Sequence, residues 1–150
     1  MKKISIAFII YCLLTVYGCG GFGLNETLPQ DPIKFEEANY TNPNDKEDGY
    51  AAILFQNRMY LPYGLFRDEI PLEKITDCVD YVVQKDKTDK TVEIFFIEDD
   101  TEHQYLIRYV TGTYRESPWI WRALDSKGKE IQTYDFIDPL GYAIWEEEQN

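Results

Sequence analysis

The chain has 150 residues, of which 44 % are apolar and 15 % aromatic, which suffices for one globular domain with a buried core and leaves no room for a second. It carries 27 acidic and 15 basic residues, a net charge of −12. Because nucleic acids are bound through basic surfaces, this balance argues against a nucleic-acid partner.

The first twenty residues have the pattern of an export signal. Lys2 and Lys3 precede an apolar run over residues 4–16, and Gly18 and Cys19 follow it. A basic start, a short apolar stretch and a small residue before the cleavage point are typical of a secretory signal peptide. The run is shorter than the roughly 20 apolar residues that a membrane-spanning helix needs.

The end of this run resembles the lipobox of bacterial lipoproteins. Val16 lies three positions before Cys19, Gly18 lies directly before it, and Tyr17 departs from the pattern because that position is usually small. The resemblance implies that residues 1–18 are removed and that the Cys19 sulfur is diacylated. It also implies that the chain is anchored by lipid at the extracytoplasmic face of the cell membrane. Beyond this motif, the chain resembles the small acidic lipoproteins of bacteria in type only.

Residues 19–49 are predicted to be a tether between the lipid and a domain over residues 50–150. Gly, Asn, Pro, Asp and Glu dominate the segment, in which residues 31–40 could add a short helix or strand. Removal of residues 1–18 takes away two lysines and no acid, so the net charge changes from −12 to −14. Anionic headgroups repel such a chain, and we expect the domain to stand off the membrane.

The domain is predicted to begin with a β-hairpin. Residues 50–55 and 58–63 are apolar and aromatic, and Gln56 and Asn57 between them form a two-residue turn, since Asn tolerates positive φ. Pro62 predicts that the second strand lies at a sheet edge or ends there, because proline cannot donate to a ladder. Such an edge could accept a partner strand.

A helical turn and further strands are predicted after this hairpin. Pro71 and Glu73 indicate one or two helical turns over residues 71–77. Apolar runs between polar turns predict strands over residues 79–83, 91–97, 104–110, 119–124 and 130–134, the last two joined as a second hairpin by residues 125–128. Six or seven strands at this spacing predict a mainly β fold, a small antiparallel sheet that is barrel- or sandwich-like with one short helix. An α+β fold is the alternative.

Cysteine and histidine offer little for catalysis or metal binding. Cys12 leaves with the signal peptide and Cys19 carries the lipid, so Cys78 has no disulfide partner, and its apolar context predicts a buried thiol. His103, the only histidine, lies in a charged turn and is expected to be solvated. The chain contains no phosphate-binding loop and no serine-hydrolase motif. We therefore expect no catalytic residue, no metal site, no cofactor and no enzyme activity.

Aromatic side chains are the candidate binding residues. Trp119 and Trp121 are two positions apart and are expected on one face of a strand. Exposed tyrosine and tryptophan provide large contact areas at a low entropic cost, so Tyr63 and Tyr114 are added to the candidate binding set. The alternative is that these rings fill the core of a small barrel.

These features predict a membrane-anchored extracytoplasmic interaction protein with an acidic, aromatic surface. Opposite charge would steer a basic protein partner to it, and an immunity-type inhibitor of a basic toxin is the sharper form of this hypothesis. The alternative is a cell-wall or glycan-binding module in which Trp119 and Trp121 stack on sugar rings. A small envelope enzyme that uses paired carboxylates is a third class with no motif to support it.

Overall fold

The fold is mainly β, in a computed structural model that describes residues 21–84, 90–112 and 115–146. One antiparallel sheet curls into a half-barrel and carries one short helix, which confirms the predicted fold class. The strands are β1 Glu36–Asn42, β2 Asp45–Phe55, β3 Arg58–Phe66, β4 Asp80–Gln84, β5 Lys90–Phe95, β6 Tyr105–Thr111, β7 Trp119–Ala123 and β8 Ile137–Pro139. The helix α1 spans Ala143–Glu146, and Leu72–Lys74 and Leu124–Ser126 form 3-10 turns.

The first predicted hairpin is confirmed. Strands β2 and β3 pair up to Phe55 and Arg58, and the two residues between them have positive φ, 50° at Gln56 and 62° at Asn57. This left-handed pair matches the right-handed twist of the flanking strands. A local backbone preference therefore sets the register of this strand pair.

The second predicted hairpin is wrong. The strands lie in the order β1-β2-β3-β7-β6-β5-β4, so β7 is flanked by β3 and β6 and has no free edge for a strand over residues 130–134. The chain instead leaves β7 through the turn at Leu124–Ser126 and crosses the outside of the sheet. It then adds β8 to β3.

The edge position predicted from Pro62 is also wrong, because β3 lies inside the sheet between β2 and β7. On one side of β3, β2 pairs as far as Tyr60 and β8 begins at Gly64. Pro62 therefore falls between two partner strands, and the register with β7 shifts at the same place. A bulge is the position inside a sheet that tolerates a residue without an N–H group.

The domain begins well before residue 50, which corrects the predicted tether. Residues 36–49 form β1 and the first half of β2, and upstream the backbone N–H of Phe35 donates to Asp80 Oδ2 on the opposite sheet edge (2.7 Å). The N-terminal segment, residues 21–28, also packs on the sheet through buried Leu24. The segment is polar in composition, so the few apolar side chains that hold it on the sheet are not evident from the sequence. Residues 1–20, with the predicted signal peptide and Cys19, lie outside the described residues.

Both faces of the sheet carry an apolar cluster. Along the central strands, apolar side chains point alternately to one face and to the other. An inner cluster lies within the curl, and an outer cluster lies under the N-terminal segment and the crossing loops. The inner cluster comprises Phe35, Ile53, Phe55, Tyr60, Val92, Ile94, Phe96, Leu106, Val110, Trp121 and Ala123. The outer cluster comprises Leu24, Ile75, Cys78, Phe95, Ile97, Tyr105, Ile107, Tyr109, Ile120 and Ile137.

Candidate functional site

An aromatic cavity of about 330 Å³ lies on the outer face of the sheet, where β3, β6 and β7 meet. Segment 129–133 and helix α1, with the loop before it, form its other walls. The residues that carry its chemistry are Tyr63, Tyr105, Arg122, Lys129, Glu130, Tyr142, Trp145 and Glu146. We call this set the aromatic cavity.

Helix α1 is held in place at the β-bulge that follows Pro62. The indole Nε1 of Trp145 donates to the Pro62 carbonyl oxygen (2.9 Å), and Ile144 and Trp145 pack with Ala52 and Leu61. The helix thus covers the outer surface where β2 and β3 separate. The bulge at Pro62 therefore also positions α1, which forms one wall of the cavity.

Arg122 forms the floor of the cavity and is only 4 % exposed. Its Nε donates to Ser126 Oγ (2.9 Å) and its Nη2 donates to the Ser126 carbonyl oxygen (3.1 Å). The guanidinium carbon lies 4.9 Å from the Trp145 ring centroid and 5.3 Å from that of Tyr63. Ring faces attract a desolvated cation, so these contacts orient and stabilise a deeply buried positive charge.

Two tyrosines of this region, Tyr105 and Tyr134, are neutral at physiological pH. Burial raises the pKa of Tyr105, and the nearby Tyr63 phenol raises it further. Burial also raises the pKa of Tyr134, which contacts the Tyr105 ring, to about 12. The cavity therefore offers flat apolar rings, phenolic hydroxyls and a guanidinium, which is the chemistry of a binding site for a ring or for hydrogen-bond acceptors.

The two tryptophans proposed as a stacking platform do not form one. Trp119 and Trp121 share a face of β7 as predicted, but it is the inner face: Trp121 is 6 % exposed and Trp119 packs half-buried against the same cluster. Of the other candidates, Tyr63 lines the aromatic cavity and Tyr114 lies outside the described residues. The alternative that rings fill the core holds for Trp121.

Sequence reasoning did not select the rest of the cavity. Arg122 carried a usable signal, because it is a charge within the apolar run 119–124 and must therefore be compensated locally. Tyr105, Tyr142 and Trp145 carried only the general signal of an aromatic ring with a polar tip, since rings from three distant segments meet only once the sheet is assembled.

The predicted burial of Cys78 is confirmed. The thiol is buried and lies 3.3 Å from the Asp80 carbonyl oxygen, and burial raises its pKa to about 12. His103 lies in the predicted turn with φ of 49°, but its ring stacks on Phe96 at 3.9 Å between centroids. The imidazole is therefore half-buried rather than fully solvated.

Two carboxyl groups are buried in the sheet. Asp80 accepts the backbone N–H groups of Phe35 (2.7 Å) and Tyr81 (2.9 Å), so it joins the two edge strands. Glu93 is 3 % exposed and lies 3.4 Å from Thr111 Oγ1, and its Oε2 has no hydrogen-bond partner in the described part of the chain. Burial raises the pKa of Glu93 to about 7, with a smaller contribution from repulsion by nearby Glu26.

Strands β1 and β2 form an exposed acidic ribbon. β3 pairs with β2 only from Ile53, so residues 38–52 of this ribbon extend beyond β3 as two paired strands. Tyr50 fixes it to the rest of the fold, because its hydroxyl accepts the Ile144 N–H (3.3 Å) and its ring meets that of Tyr142 edge-on. The exposed charged side chains of this acidic ribbon are Glu36, Glu37, Asp45, Lys46 and Glu47.

Comparisons with known proteins add no relative: no family model, curated protein or solved structure matches the chain. Within residues 21–84, 90–112 and 115–146, no helix is long and apolar enough to cross a membrane. The same described ranges contain no group of three or more histidine, cysteine or acidic side chains that could hold a metal ion.

Proposed function

We propose that the protein is an extracytoplasmic binding protein, anchored by lipid on Cys19, that captures a basic protein partner through its acidic ribbon. The motif that ends at Cys19 supports the anchor and the location. The observation that carries the binding role is the concentration of exposed carboxylates on one ordered ribbon, where Lys46 is the only exposed base.

The charges on the ribbon are largely uncompensated. Glu37 pairs with Arg108 (3.0 Å), and the described part of the chain provides no ion pair for Glu36, Asp45 or Glu47. Such a field accelerates encounter with a cationic surface and is weakened by salt.

The ribbon is ordered before any partner arrives. One of its faces packs on α1 through Tyr50, and Asn42 Nδ2 donates to Asp48 Oδ2 near its tip (3.0 Å). A partner therefore pays little entropic cost for ordering this surface. An immunity-type inhibitor of a basic toxin is the narrower form of this function.

The test is affinity capture with the lipid-free chain, residues 20–150, as bait. Lysate and culture medium of the source cells are passed over it at low and at high salt. The proposal predicts one stoichiometric, basic protein that is retained at low salt and released at high salt, and its identity decides the immunity hypothesis. Retention of nothing, or of an acidic protein regardless of salt, would contradict the proposal.

The aromatic cavity favours a second candidate function, the binding of a cell-wall glycan. Sugar rings stack on aromatic faces, and the cavity presents Tyr63, Tyr142 and Trp145 around the Arg122 guanidinium. Retention on purified wall material measures this binding. Tyr142→Ala, which removes one wall, should abolish retention, whereas Tyr40→Ala on the ribbon should not; equal retention by all forms would exclude the cavity.

A further inference from the structure

The N-terminal segment packs on the sheet close to the predicted lipid attachment point, so the two are joined by only a few residues. The Phe22 ring meets the Tyr109 ring edge-on at 5.9 Å between centroids, and Leu24 is buried in the outer cluster. Asn25 Nδ2 donates to Asp77 Oδ1 (2.6 Å). The segment is thus attached to the outer face from its first described residues.

Covalent geometry limits how far the predicted attachment point of the lipid can be from this face. Cys19 and Gly21 are two residues apart, so their Cα atoms are separated by about 7 Å at most. Gly21 packs against the Arg115 guanidinium, which pairs with Glu26 Oε1 (3.3 Å). A lipid on Cys19 would therefore enter the bilayer next to the outer face and not at the end of a long tether.

Apolar side chains are exposed at the same place. Phe22 is 42 % exposed and Leu72 is 45 % exposed. Gly23, the residue after Phe22, packs against Leu72: it has a φ of 82°, and a Cβ at this position would lie 2.8 Å from Leu72 Cδ1. Arg115 adds a cation near Phe22, because its guanidinium carbon lies 5.7 Å from the centroid of the Tyr109 ring that Phe22 also contacts.

We propose that Phe22, Leu72 and Arg115 form a membrane-contact face that holds the domain flush on the lipid bilayer. This inference rests on the proposed lipid anchor. Apolar side chains next to an acyl chain gain free energy by entering the interface, and a guanidinium there contacts lipid phosphate. The acidic chain disfavours anionic lipid, so the face suits a zwitterionic surface. This orientation differs from the stand-off position expected from net charge.

The test uses the full lipidated protein, purified from membranes and reconstituted into phosphatidylcholine vesicles. An environment-sensitive fluorophore is attached to a single introduced thiol in Phe22→Cys or Leu72→Cys. Val83→Cys and Leu140→Cys are the matched controls, because these apolar side chains are exposed to a similar degree. Buried Cys78 does not compete for the label, and the parent protein serves as the blank.

Two readouts separate the anchor from the contact face. Flotation with the vesicles reports the anchor, and emission wavelength with iodide quenching reports the surroundings of each label. We expect the labels at positions 22 and 72 to shift to shorter wavelength and to be protected from iodide several-fold relative to the controls. Flotation with equal quenching at all four positions overturns the contact face and leaves the anchor. Failure to float overturns both.

Discussion

The buried carboxyl of Glu93 makes the stability of the fold depend on pH. Its pKa is about 7 in the folded protein, against an ordinary value of 4.5, because burial and Glu26 disfavour the charged form. Below the ordinary value both states hold the proton. As the pH rises from there towards 7, the unfolded chain ionises and the folded one does not, so the free energy of unfolding falls. Above the pKa of the folded state both states are ionised, and this group lowers the free energy of unfolding no further.

The size of this effect follows from the shift. Each pKa unit corresponds to about 1.4 kcal/mol, so the rise from 4.5 to about 7 implies a loss of about 3 kcal/mol. Glu93→Gln keeps the shape and removes the ionisation. Its stability advantage over the parent should therefore grow by about 3 kcal/mol between mildly acidic and mildly alkaline solution.

Urea unfolding of the lipid-free chain across this pH range measures the difference. Glu98→Gln is the matched control, because Glu98 is an exposed carboxylate just after the same strand. Its difference from the parent reports the effect of removing one exposed charge. A difference between Glu93→Gln and the parent that does not change with pH would disprove the predicted effect, because it would mean that the folded protein ionises Glu93 as easily as the unfolded chain does.

Three further predictions test other parts of the fold. Asp80→Ala removes the acceptor that joins the sheet edges and should cost about 2–4 kcal/mol in urea unfolding, whereas exposed Asp138→Ala should cost little; equal costs would contradict the edge link. At the hairpin turn, Asn57→Gly should raise the thermal midpoint and Asn57→Val should lower it, and the reverse order would contradict the positive φ. The Cys78 thiol should not react with Ellman's reagent until the chain unfolds, so rapid native labelling would disprove its burial.

Local features of the fold could be predicted from the sequence. The turn at Gln56 and Asn57 depends only on its own backbone preferences, and apolar runs mark most strands. Strand order could not be predicted, because the insertion of β7 between β3 and β6 depends on contacts far apart in the chain. The second predicted hairpin matches a hairpin in its local sequence, but it does not form because β3 and β6 already occupy both sides of β7.

The functional surfaces also depend on the assembled sheet, so the sequence predicts them only in part. The spacing of Trp119 and Trp121 correctly predicts a shared face, but the curl of the sheet decides that this face is the inner one. The cavity joins Arg122 of β7 to Trp145 of a helix that depends on the Pro62 bulge. The ribbon lies in a segment whose composition is that of a linker, and its few half-buried side chains pack only once the rest of the sheet has formed.

The central claim is that the acidic ribbon, and not net charge alone, captures a basic partner. It is tested by two baits with equal loss of charge: one in which Glu36, Asp45 and Glu47 are changed to Gln or Asn, and one in which Glu69, Glu73 and Asp138 are changed in the same way. The first bait should lose the salt-sensitive partner, and the second should retain it. Equal retention by both baits, or equal loss from both, would contradict the central claim.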